Sequence, residues 1–557
     1  MDEPGVVRLA QIALADGDYT SALAYLHEAV GAGPDPFARQ LLAGLLFFED
    51  DLAGARRELE AAFREWRDAG EARAAALVAA DLADLHSSGF GNRVVGRGWI
   101  SRARRLLARD GRCVEQGYVE LALIACEDDV GRLEEAAAVA LELAVEFGDT
   151  DLEVLALADS GYVMVVRGRD TDGFARLDEA MAALSGDEVR NPGVAAKSYC
   201  AMLSACDRAG DLGRAEEWSR VITEAWILPS GGRPRGLHSH CRLAYGSVLC
   251  TSGRWPEGEA AILDVLGPDG TAYLAHRAEA AARLASLRLL QGRAQEAAEL
   301  LRPFEDRSGS CEPLARLHLV AEELDLAHAV AQRGLDAAGG DRLRASALRS
   351  LLVEVELARD DVAAATVHAD ALAGLADAAE SRLLRAEAAL ARGRVAAARL
   401  QPAAAIEAFG EARCNLRPNE RPLLGGMLAL ELAQMLADAG DRGSAVDQAR
   451  AAMACFERLG AALLVDRADA LLRSLGARAR RIGDPAAAVG GLTAREQQVL
   501  ALLREGLTNP EIGQRLFIST KTAEHHVGRL LAKLGLRSRA EAAAVAAAAR
   551  LVPPMGG

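Results

Sequence analysis

One short pattern recurs along most of this chain and limits what the chain can fold into. A glycine, or less often an aspartate, is followed five positions later by a small residue, usually alanine. Gly131, Gly168, Gly210, Gly253 and Gly292 follow one another at intervals of about 40 residues. A fixed period of this length predicts an array of helical repeats, in which stacked neighbours bury a continuous core.

The copies of the pattern differ in strength. Five contain both the glycine and the alanine: Gly17 with Ala22, Gly131 with Ala136, Gly210 with Ala215, Gly292 with Ala297, and Gly440 with Ala445. Weaker copies are Asp50 with Ala55, Gly96 with Ser101, Gly168 with Gly173, Gly253 with Gly258, and Asp360 with Ala365. Leu400 occupies the corresponding position before Gly440, and the register is blurred between residues 310 and 350.

The residue types in the pattern predict a helical hairpin. Glycine adopts the left-handed conformation at low cost and ends one helix, and the small residue lets two antiparallel helices approach closely. The unit resembles a tetratricopeptide hairpin with lengthened helices. The resemblance implies a superhelix whose concave surface holds a peptide, a protein or a small effector. The alternative is a set of independent alanine-rich bundles that share the same capping residues.

Composition favours an all-α fold for this array, residues 1–475. Apolar residues make up 51 % of the chain and aromatic residues only 4 %. The apolar content is chiefly alanine and leucine, which favour helices over sheets. The nine cysteines include no C-x-x-C pair, the amino terminus has no secretion signal, and no apolar run is long enough to span a bilayer. These features predict a cytoplasmic protein without a membrane partner.

Motifs for catalysis or metal binding are scarce. A nucleotide-binding loop requires Gly-x4-Gly-Lys-Ser/Thr, and none of the three lysines, Lys197, Lys521 and Lys533, stands in that context. Residues 238–241 include two histidines and a cysteine, but no second ligand pair stands at the spacing of a zinc site. We therefore predict no enzyme activity, no catalytic residue, no cofactor and no metal.

The last part of the chain differs from the array in composition. Glycine, proline and small residues over 476–490 predict a linker. Residues 491–557 contain nine basic and five acidic residues, a net charge of +4, which leaves −20 for the rest of a chain whose total is −16. Nucleic acid attracts clustered basic surfaces. Any binding to nucleic acid is therefore expected in the terminal domain and not in the acidic array.

Capping residues divide the terminal domain into four short helices. Three helix starts pair Ser or Thr with a Glu three residues later, namely Thr493 with Glu496, Thr508 with Glu511, and Ser538 with Glu541. Ser519 starts a further helix, and Gly506 and Gly535 mark helix ends. The predicted helices are 494–505, 509–516, 520–534 and 539–549. The second and third form a helix-turn-helix, whose longer helix can enter the major groove of DNA.

Ordered motifs in this domain give it a family resemblance. They are Leu492 to Glu496, Gly506 to Ile512, Leu516 to Thr522, His526 with Val527, Lys533 to Gly535, and Arg537 to Arg539. In this order they resemble the DNA-binding domain of LuxR-type response regulators. The layout is similar to that of the large LuxR-type regulators with a helical-repeat region, although we expect no counterpart of their usual amino-terminal ATPase. The resemblance implies a homodimer on paired DNA half-sites, with the face of 540–549 as the dimer contact.

Helical periodicity sorts the longest of these helices into two faces. Its apolar residues are expected to pack in a small core: Val527, Leu530, Leu531 and Leu534 against Val499, Ile512 and Leu516. Its open face is expected to enter the DNA groove: Lys521, Glu524, His525, Gly528 and Arg529. Similar family members often have lysine at the positions of Glu524 and Gly528. A carboxylate can accept from a cytosine amino group and a glycine permits close approach, but fewer cations make fewer phosphate contacts and a weaker salt dependence.

Further DNA-binding residues are predicted around this face. Ser519, Thr520 and Thr522 begin the helix. His526 is expected to be buried next to Val527, as a packing or phosphate-contacting residue. The remaining candidates are basic residues expected to contact phosphates or to pack against the fourth helix: Lys533, Arg537 and Arg539.

Together these features predict a bacterial DNA-binding transcription regulator whose array binds a partner or effector. Its expected partners are promoter or operator double-stranded DNA, a second copy of the chain, an unidentified protein, peptide or small-molecule effector, and RNA polymerase. One alternative is an interaction scaffold whose terminal domain docks to a protein and not to DNA. Another is the separated regulatory half of a nucleotide-dependent switch, which would require an ATPase partner chain.

Overall fold

The computed structural model describes residues 5–15, 17–49, 51–186, 188–226, 235–267, 273–417, 421–477, 494–516, 518–534, 539 and 542. Within these residues the chain is helical and has no β-strand, which confirms the all-α fold class. The chain divides into two compact units, Met1–Leu471 and Leu472–Gly557. The predicted linker 476–490 lies outside the described residues except for its first two positions.

The helices before the linker are numbered α1 to α25 in chain order. They are α1 Val6–Ala15, α2 Tyr19–Ala32, α3 Pro36–Phe48, α4 Leu52–Asp68, α5 Ala72–Asp84, α6 Arg93–Leu107, α7 Val114–Leu121, α8 Val130–Phe147, α9 Thr150–Val166, α10 Asp170–Ser185, α11 Pro192–Ala209, α12 Leu212–Trp226 and α13 Arg235–Thr251. The series continues with α14 Trp255–Leu266, α15 Leu274–Leu290, α16 Ala294–Leu301, α17 Cys311–Val320, α18 Leu324–Asp336, α19 Arg342–Ala358, α20 Val362–Asp377, α21 Arg382–Ala398, α22 Pro402–Cys414, α23 Pro422–Asp438, α24 Arg442–Leu459 and α25 Ala462–Ser474. Irregular turns interrupt it at Leu85–Gly89, a π-helix, and in 3₁₀ form at Ala122–Ala125, Arg302–Phe304 and Ser308–Ser310.

Neighbouring helices pack as antiparallel hairpins. The helices of pairs such as α9 with α10, α21 with α22, and α23 with α24 are joined by a few residues and lie against each other. Each hairpin packs on the next, and buried residues such as Leu152, Leu177 and Met202 form a core that continues from one hairpin into another. The predicted array of tetratricopeptide-like hairpins is confirmed.

The recurring pattern forms the turn of a hairpin. Gly168, Gly210 and Gly253 have left-handed φ angles of 78°, 79° and 88°, and φ is also positive at the three other such turns, Gly17, Gly292 and Gly440. The small residue lies in the first turn of the following helix, where the N–H of Ala215 donates to the carbonyl of Asp211 at 3.2 Å. Most of the alanines in this position have no solvent exposure: Ala22, Ala55, Ala215, Ala297, Ala365, Ala405 and Ala445.

Residues other than glycine also occupy the turn. Asp360 and Leu400 have φ angles of 61° and 58°, as their place in the pattern predicts. Glu322 has a φ of 60° and is followed five positions later by the fully buried Ala327. This copy lies where the sequence register is blurred, and it was missed because glutamate rarely adopts a left-handed conformation.

Two of the predicted copies are wrong. In the turn before α6 the left-handed residue is Gly91, with a φ of 69°, and Gly96 is the small residue that follows it. Ser101, the predicted small residue, is exposed. Gly131 lies in the first turn of α8, which is capped by Asp129, and its φ is not positive. At Gly96 the same residue type serves both positions of the pattern, so the sequence alone allowed a five-residue error.

Several left-handed glycines also contact a distant part of the array. A methyl group added to Gly168 would lie 2.7 Å from Ala379 Cβ and 2.9 Å from Leu384 Cδ1. A methyl group added to Gly210 would lie 2.6 Å from Arg421 Nε. Because these partners are some 200 residues further along the chain, or about five repeats, the array coils back so that successive turns touch.

Hydrogen bonds cross the same seam between turns of the coil. The carbonyl of Gly168 accepts from the N–H of Glu380 at 2.8 Å. The hydroxyl of Tyr273 donates to the carbonyl of Phe47 at 2.6 Å, across 226 residues of sequence. Repeats in an open array contact only their neighbours. The seam therefore adds long-range contacts that an open array does not have.

Glycine can be needed at a turn for its positive φ angle or for the lack of space at the seam. Comparing Gly168→Ala with Gly440→Ala separates these two reasons. Both variants place alanine at a positive φ, which costs roughly 1–2 kcal/mol. Only Gly168 faces the seam, because nothing lies within 4 Å of a methyl group added to Gly440. We expect Gly168→Ala to lower the free energy of unfolding by a further ~1–3 kcal/mol from overpacking, measured by urea denaturation of the two variants. Equal losses would show that the seam contributes nothing.

Candidate nucleic-acid interface

Three helices of the second unit are described, and their bounds agree with the prediction to within one residue. They are α26 Ala494–Arg504, α27 Asn509–Leu516 and α28 Thr520–Leu534. The predicted fourth helix, 539–549, lies outside the described residues except for positions 539 and 542, as does Gly535. Gly506 ends the first helix with a φ of 82°, as predicted.

The helices pack around a small apolar core. Ile512, Val527 and Leu530 are buried in it, and Leu516 and Leu531 lie partly buried at its edge, as predicted. The side chain of Leu534 lies outside the described ones. The first helix contributes more than was predicted, with Leu500, Leu502 and Leu503 buried beside Val499. This core fixes which face of α28 points outward.

The turn between α27 and α28 is tight because of a glycine. The N–H of Ile518 donates to the carbonyl of Gly513 at 2.9 Å. A methyl group added to Gly513 would lie 2.9 Å from the carbonyl oxygen of Ile518, so a larger residue would force the chain apart. The backbone at this position therefore sets the angle between the two helices of the helix-turn-helix.

The capping predictions are partly confirmed. Glu511 reaches back as predicted and accepts from the N–H of Thr508 at 2.6 Å, and these bonds from Thr508 lower the pKa of Glu511. The Thr508 hydroxyl, however, donates to the same carboxylate and does not cap the backbone. Ser519 accepts from the N–H of Thr522 at 3.1 Å, as a capping residue should. Thr493, Ser538 and Glu541 lie outside the described residues.

The face of α28 opposite the core is exposed and polar. Lys521, Glu524, His525, Gly528 and Arg529 are all exposed, as predicted. Within the described part of the chain, none of the four side chains has a hydrogen-bond or ion-pair partner. An open hollow on this face is lined by Ser519, Lys521, Thr522, His525, His526 and Arg529. The structure thus brings most of the predicted residues onto one surface.

Some predicted residues have a different place. His526 is only partly buried and lines the hollow, so its predicted burial beside Val527 is wrong. Arg539 donates to the carbonyl of Leu507 and so ties residue 539 to the turn before α27. Lys533 belongs to α28 but its side chain lies outside the described ones, and Arg537 lies outside the described residues. Thr520 is the exposed first residue of α28.

Arg495 is a positioning residue that the sequence prediction did not assign. Its Nη2 donates to the carbonyl of Leu516 at 2.6 Å and its Nη1 to Gln498 at 2.9 Å. The bond links the first turn of α26 to the carboxyl end of α27, where a cation is favourable. The sequence carried one signal for it, because a basic residue in the first turn of a helix opposes the helix dipole unless another group compensates its charge.

A second group of charged side chains lies within the array, on α5, α9 and α11. Lys197 Nζ lies 2.7 Å from the Asp84 carboxylate, and its charge also acts on Asp81 and Asp159. Asp81 and Lys197 are exposed and Asp159 is partly buried. Crowding by the surrounding helices still raises the pKa of Asp159 to about 7 and that of Asp81 to about 6, although Lys197 opposes both shifts. Among the described residues, no group of His, Cys, Asp and Glu has the arrangement of a metal site. The side chains of His238, His240 and Cys241 lie outside the described ones.

A known protein family matches the part of the chain that contains the helix-turn-helix. Residues 491–546 match the model of the bacterial regulatory proteins of the luxR family. The carboxyl-terminal segment is a LuxR-type helix-turn-helix domain. The match covers α26, α27 and α28 of this domain, together with the predicted DNA-binding residues.

Curated relatives are similar to the same part of the chain. The DNA-binding transcriptional activator DevR/DosR of Mycobacterium tuberculosis is 42 % identical over 97 residues, which are 17 % of this chain and 43 % of that protein. The transcriptional regulatory protein LiaR of Bacillus subtilis is 44 % identical over 69 residues, 12 % of this chain and 33 % of LiaR. The putative regulator Rv0890c of M. tuberculosis is 45 % identical over 83 residues, 15 % of this chain and 9 % of that protein. The similarity thus spans less than half of each relative.

Solved structures resemble the chain over a longer stretch but more loosely. The Cut9 and Hcn1 hetero-tetramer of APC/C gives a TM-score of 0.45 at 16 % identity, covering 83 % of this chain and 89 % of that one. Yeast Tom70 gives a TM-score of 0.31 at 14 % identity, covering 84 % of this chain and 96 % of that one. None of the described helices is long and apolar enough to cross a membrane.

Arg495→Gln tests how the LuxR-type domain is held together. We expect the variant to lose ~1–3 kcal/mol of local stability, because the charged hydrogen bond to Leu516 is lost. Hydrogen exchange of the amides of 494–530, followed by mass spectrometry, measures this loss. Arg515→Gln is the matched control, since Arg515 is exposed on α27 and has no partner among the described residues; it should change stability by less than about 0.5 kcal/mol. Equal exchange in both variants would contradict the assigned role.

Proposed function

We propose that this chain is a transcription regulator that binds double-stranded DNA with its LuxR-type domain. One observation carries the proposal: α28 packs one face on a small core and presents Lys521 and Arg529 on the other, where neither has a partner among the residues that the structure describes. A helix held in this way fits the major groove, and its cations meet the phosphates on either side. The interface consists of Ser519, Thr520, Lys521, Thr522, Glu524, His525, His526, Gly528 and Arg529, with Lys533, Arg537 and Arg539 at its edge.

The array is proposed to bind the partner or effector that controls this domain. The coiled array is compact, and the group around Lys197 supports a ligand-responsive role, because Lys197 is the sole lysine among residues 1–475. Three carboxylates act on that lysine, and two of them have raised pKa values. A ligand that changes the charge of this group changes the electrostatic interaction of Lys197, on α11, with carboxylates on α5 and α9.

The remaining features of the proposal follow from the LuxR-type domain. The chain binds paired half-sites as a homodimer through the face of 540–549 and acts in the bacterial cytoplasm, where RNA polymerase is a further partner. It has no catalytic step. The organisation proposed is an array over 1–475, a linker over 476–490 and the DNA-binding domain over 491–557.

The double variant Lys521→Ala with Arg529→Ala separates this proposal from a protein scaffold. We expect its affinity for duplex DNA to fall and the slope of log K against log salt to become shallower by about 2, because two phosphate contacts are lost. Fluorescence anisotropy of a labelled duplex, titrated at several salt concentrations, measures both quantities.

The matched control removes two arginines from the array. Arg57→Ala with Arg64→Ala changes the net charge equally at two exposed positions of α4, and this variant should bind DNA no less well than the parent. Equal affinity and equal salt slope in all three proteins would contradict the proposal and favour the scaffold. Affinity that requires ATP and a second chain would favour the nucleotide-dependent switch.

A further inference from the structure

Two residues on the exposed face of α28 have no stabilising interaction with the part of the chain that the structure describes. Glu524 is exposed and has no hydrogen-bond or ion-pair partner in the described part of the chain, although Lys521 lies one turn before it. Gly528 lies in the interior of α28, and a methyl group added to it would meet nothing within 4 Å. Both residues are therefore free to serve a contact outside the protein.

Each residue also has a cost: Gly528 lowers the stability of the helix, and Glu524 is repelled by the phosphates of DNA. Glycine in an exposed helix interior is less stable than alanine. A buried glycine can be required by a positive φ or by a close neighbour, as at Gly168, but Gly528 has neither. A carboxylate on a surface that meets phosphates is repelled by them unless a donor on the DNA satisfies it.

The donors available in the major groove narrow the choice of base. A carboxylate only accepts hydrogen bonds. The cytosine edge offers the N4 amino donor, whereas the adenine edge places the N7 acceptor beside its N6 amino group. Guanine offers two acceptors, N7 and O6, and thymine offers an acceptor and a methyl group. Cytosine is thus the base whose edge suits a carboxylate best.

We propose that Glu524 recognises a cytosine in each half-site and that Gly528 lets the backbone of α28 come close enough for this contact. The inference rests on the proposed function. Residues four apart lie on the same face of a helix. When Glu524 contacts a base in the groove, Gly528 therefore lies against the same groove. Lys521 and Arg529, at or near the same face, hold the phosphates while Glu524 distinguishes the base.

Selection from a random duplex library with the full-length chain at low salt tests the role of Glu524. We expect one position of each half-site to be cytosine, with a preference of roughly 5- to 150-fold over the other bases. Glutamine pairs with adenine through N6 and N7, so Glu524→Gln should change that position from cytosine to adenine and leave the others unchanged. Glu505→Gln, which removes the same charge from an exposed residue outside the hollow, should keep cytosine.

The outcomes separate this inference from the proposed function. If the parent protein retains no duplex at low salt, the proposed function fails and the inference with it. If the parent selects sites without a fixed cytosine, or if Glu524→Gln selects the same sites as the parent, only the inference is contradicted.

Gly528→Ala tests the second half of the inference with two opposed readouts. The variant should raise the melting temperature of the protein, since alanine favours the helix. Its affinity for the selected site should fall about tenfold or more while its affinity for unrelated duplex stays the same, because the added methyl group separates α28 from the base edge. Unchanged affinity for the selected site in the more stable variant would show that Gly528 makes no room for DNA.

Discussion

The fold of the array depends on how closely two helices approach beside the turn of each hairpin. A methyl group added to Gly173 would lie 2.7 Å from the carbonyl oxygen of Gly161 on the facing helix, so a residue larger than the one present would push the pair apart. Alanine fills the same position in most hairpins and has no solvent exposure there. Most of the described hairpins share this close approach, and contacts such as those of Gly168 with Ala379 and Leu384 bring later turns of the coil onto earlier ones.

The seam has a consequence for the behaviour of the array. In an open repeat array, stability is a sum of terms between neighbours, and the ends unfold independently of the middle. Contacts such as that between Tyr273 and Phe47 join repeats far apart in sequence. A change at one of these contacts affects two distant parts of the coil together, which suits an array that responds to a partner or effector.

The two parts of the chain have net charges of opposite sign, which agrees with DNA binding by the terminal domain and not by the array. The net charge of −20 before residue 491 repels DNA, whereas the +4 of the terminal domain attracts it. Within that domain, Arg495 and Arg539 are used to hold helices and turns together. On the exposed face of α28, Lys521 and Arg529 remain for phosphates, and the few cations there make recognition of bases by uncharged and acidic groups more important.

Much of this could be predicted from the sequence, because local chemistry determines it. The turn glycines, the capping residues and the apolar face of α28 act over a few residues, and their positions were predicted correctly at Gly168, Ser519 and Val527. The error at Gly96 arose because glycine fits both positions of the pattern, whereas Gly131 lies in the first turn of α8. The seam, the bond of Arg495 to Leu516 and the partial exposure of His526 depend on contacts between residues distant in sequence, which no local pattern encodes.

The most direct test of the account is hydrogen exchange of the full-length chain with and without duplex DNA. We expect slower exchange on binding in the amides of 518–530, at the turn and the exposed face of α28, and no slowing in the acidic array. Slower exchange in the array, with 518–530 unchanged, would contradict it, because DNA would then be bound by a different surface.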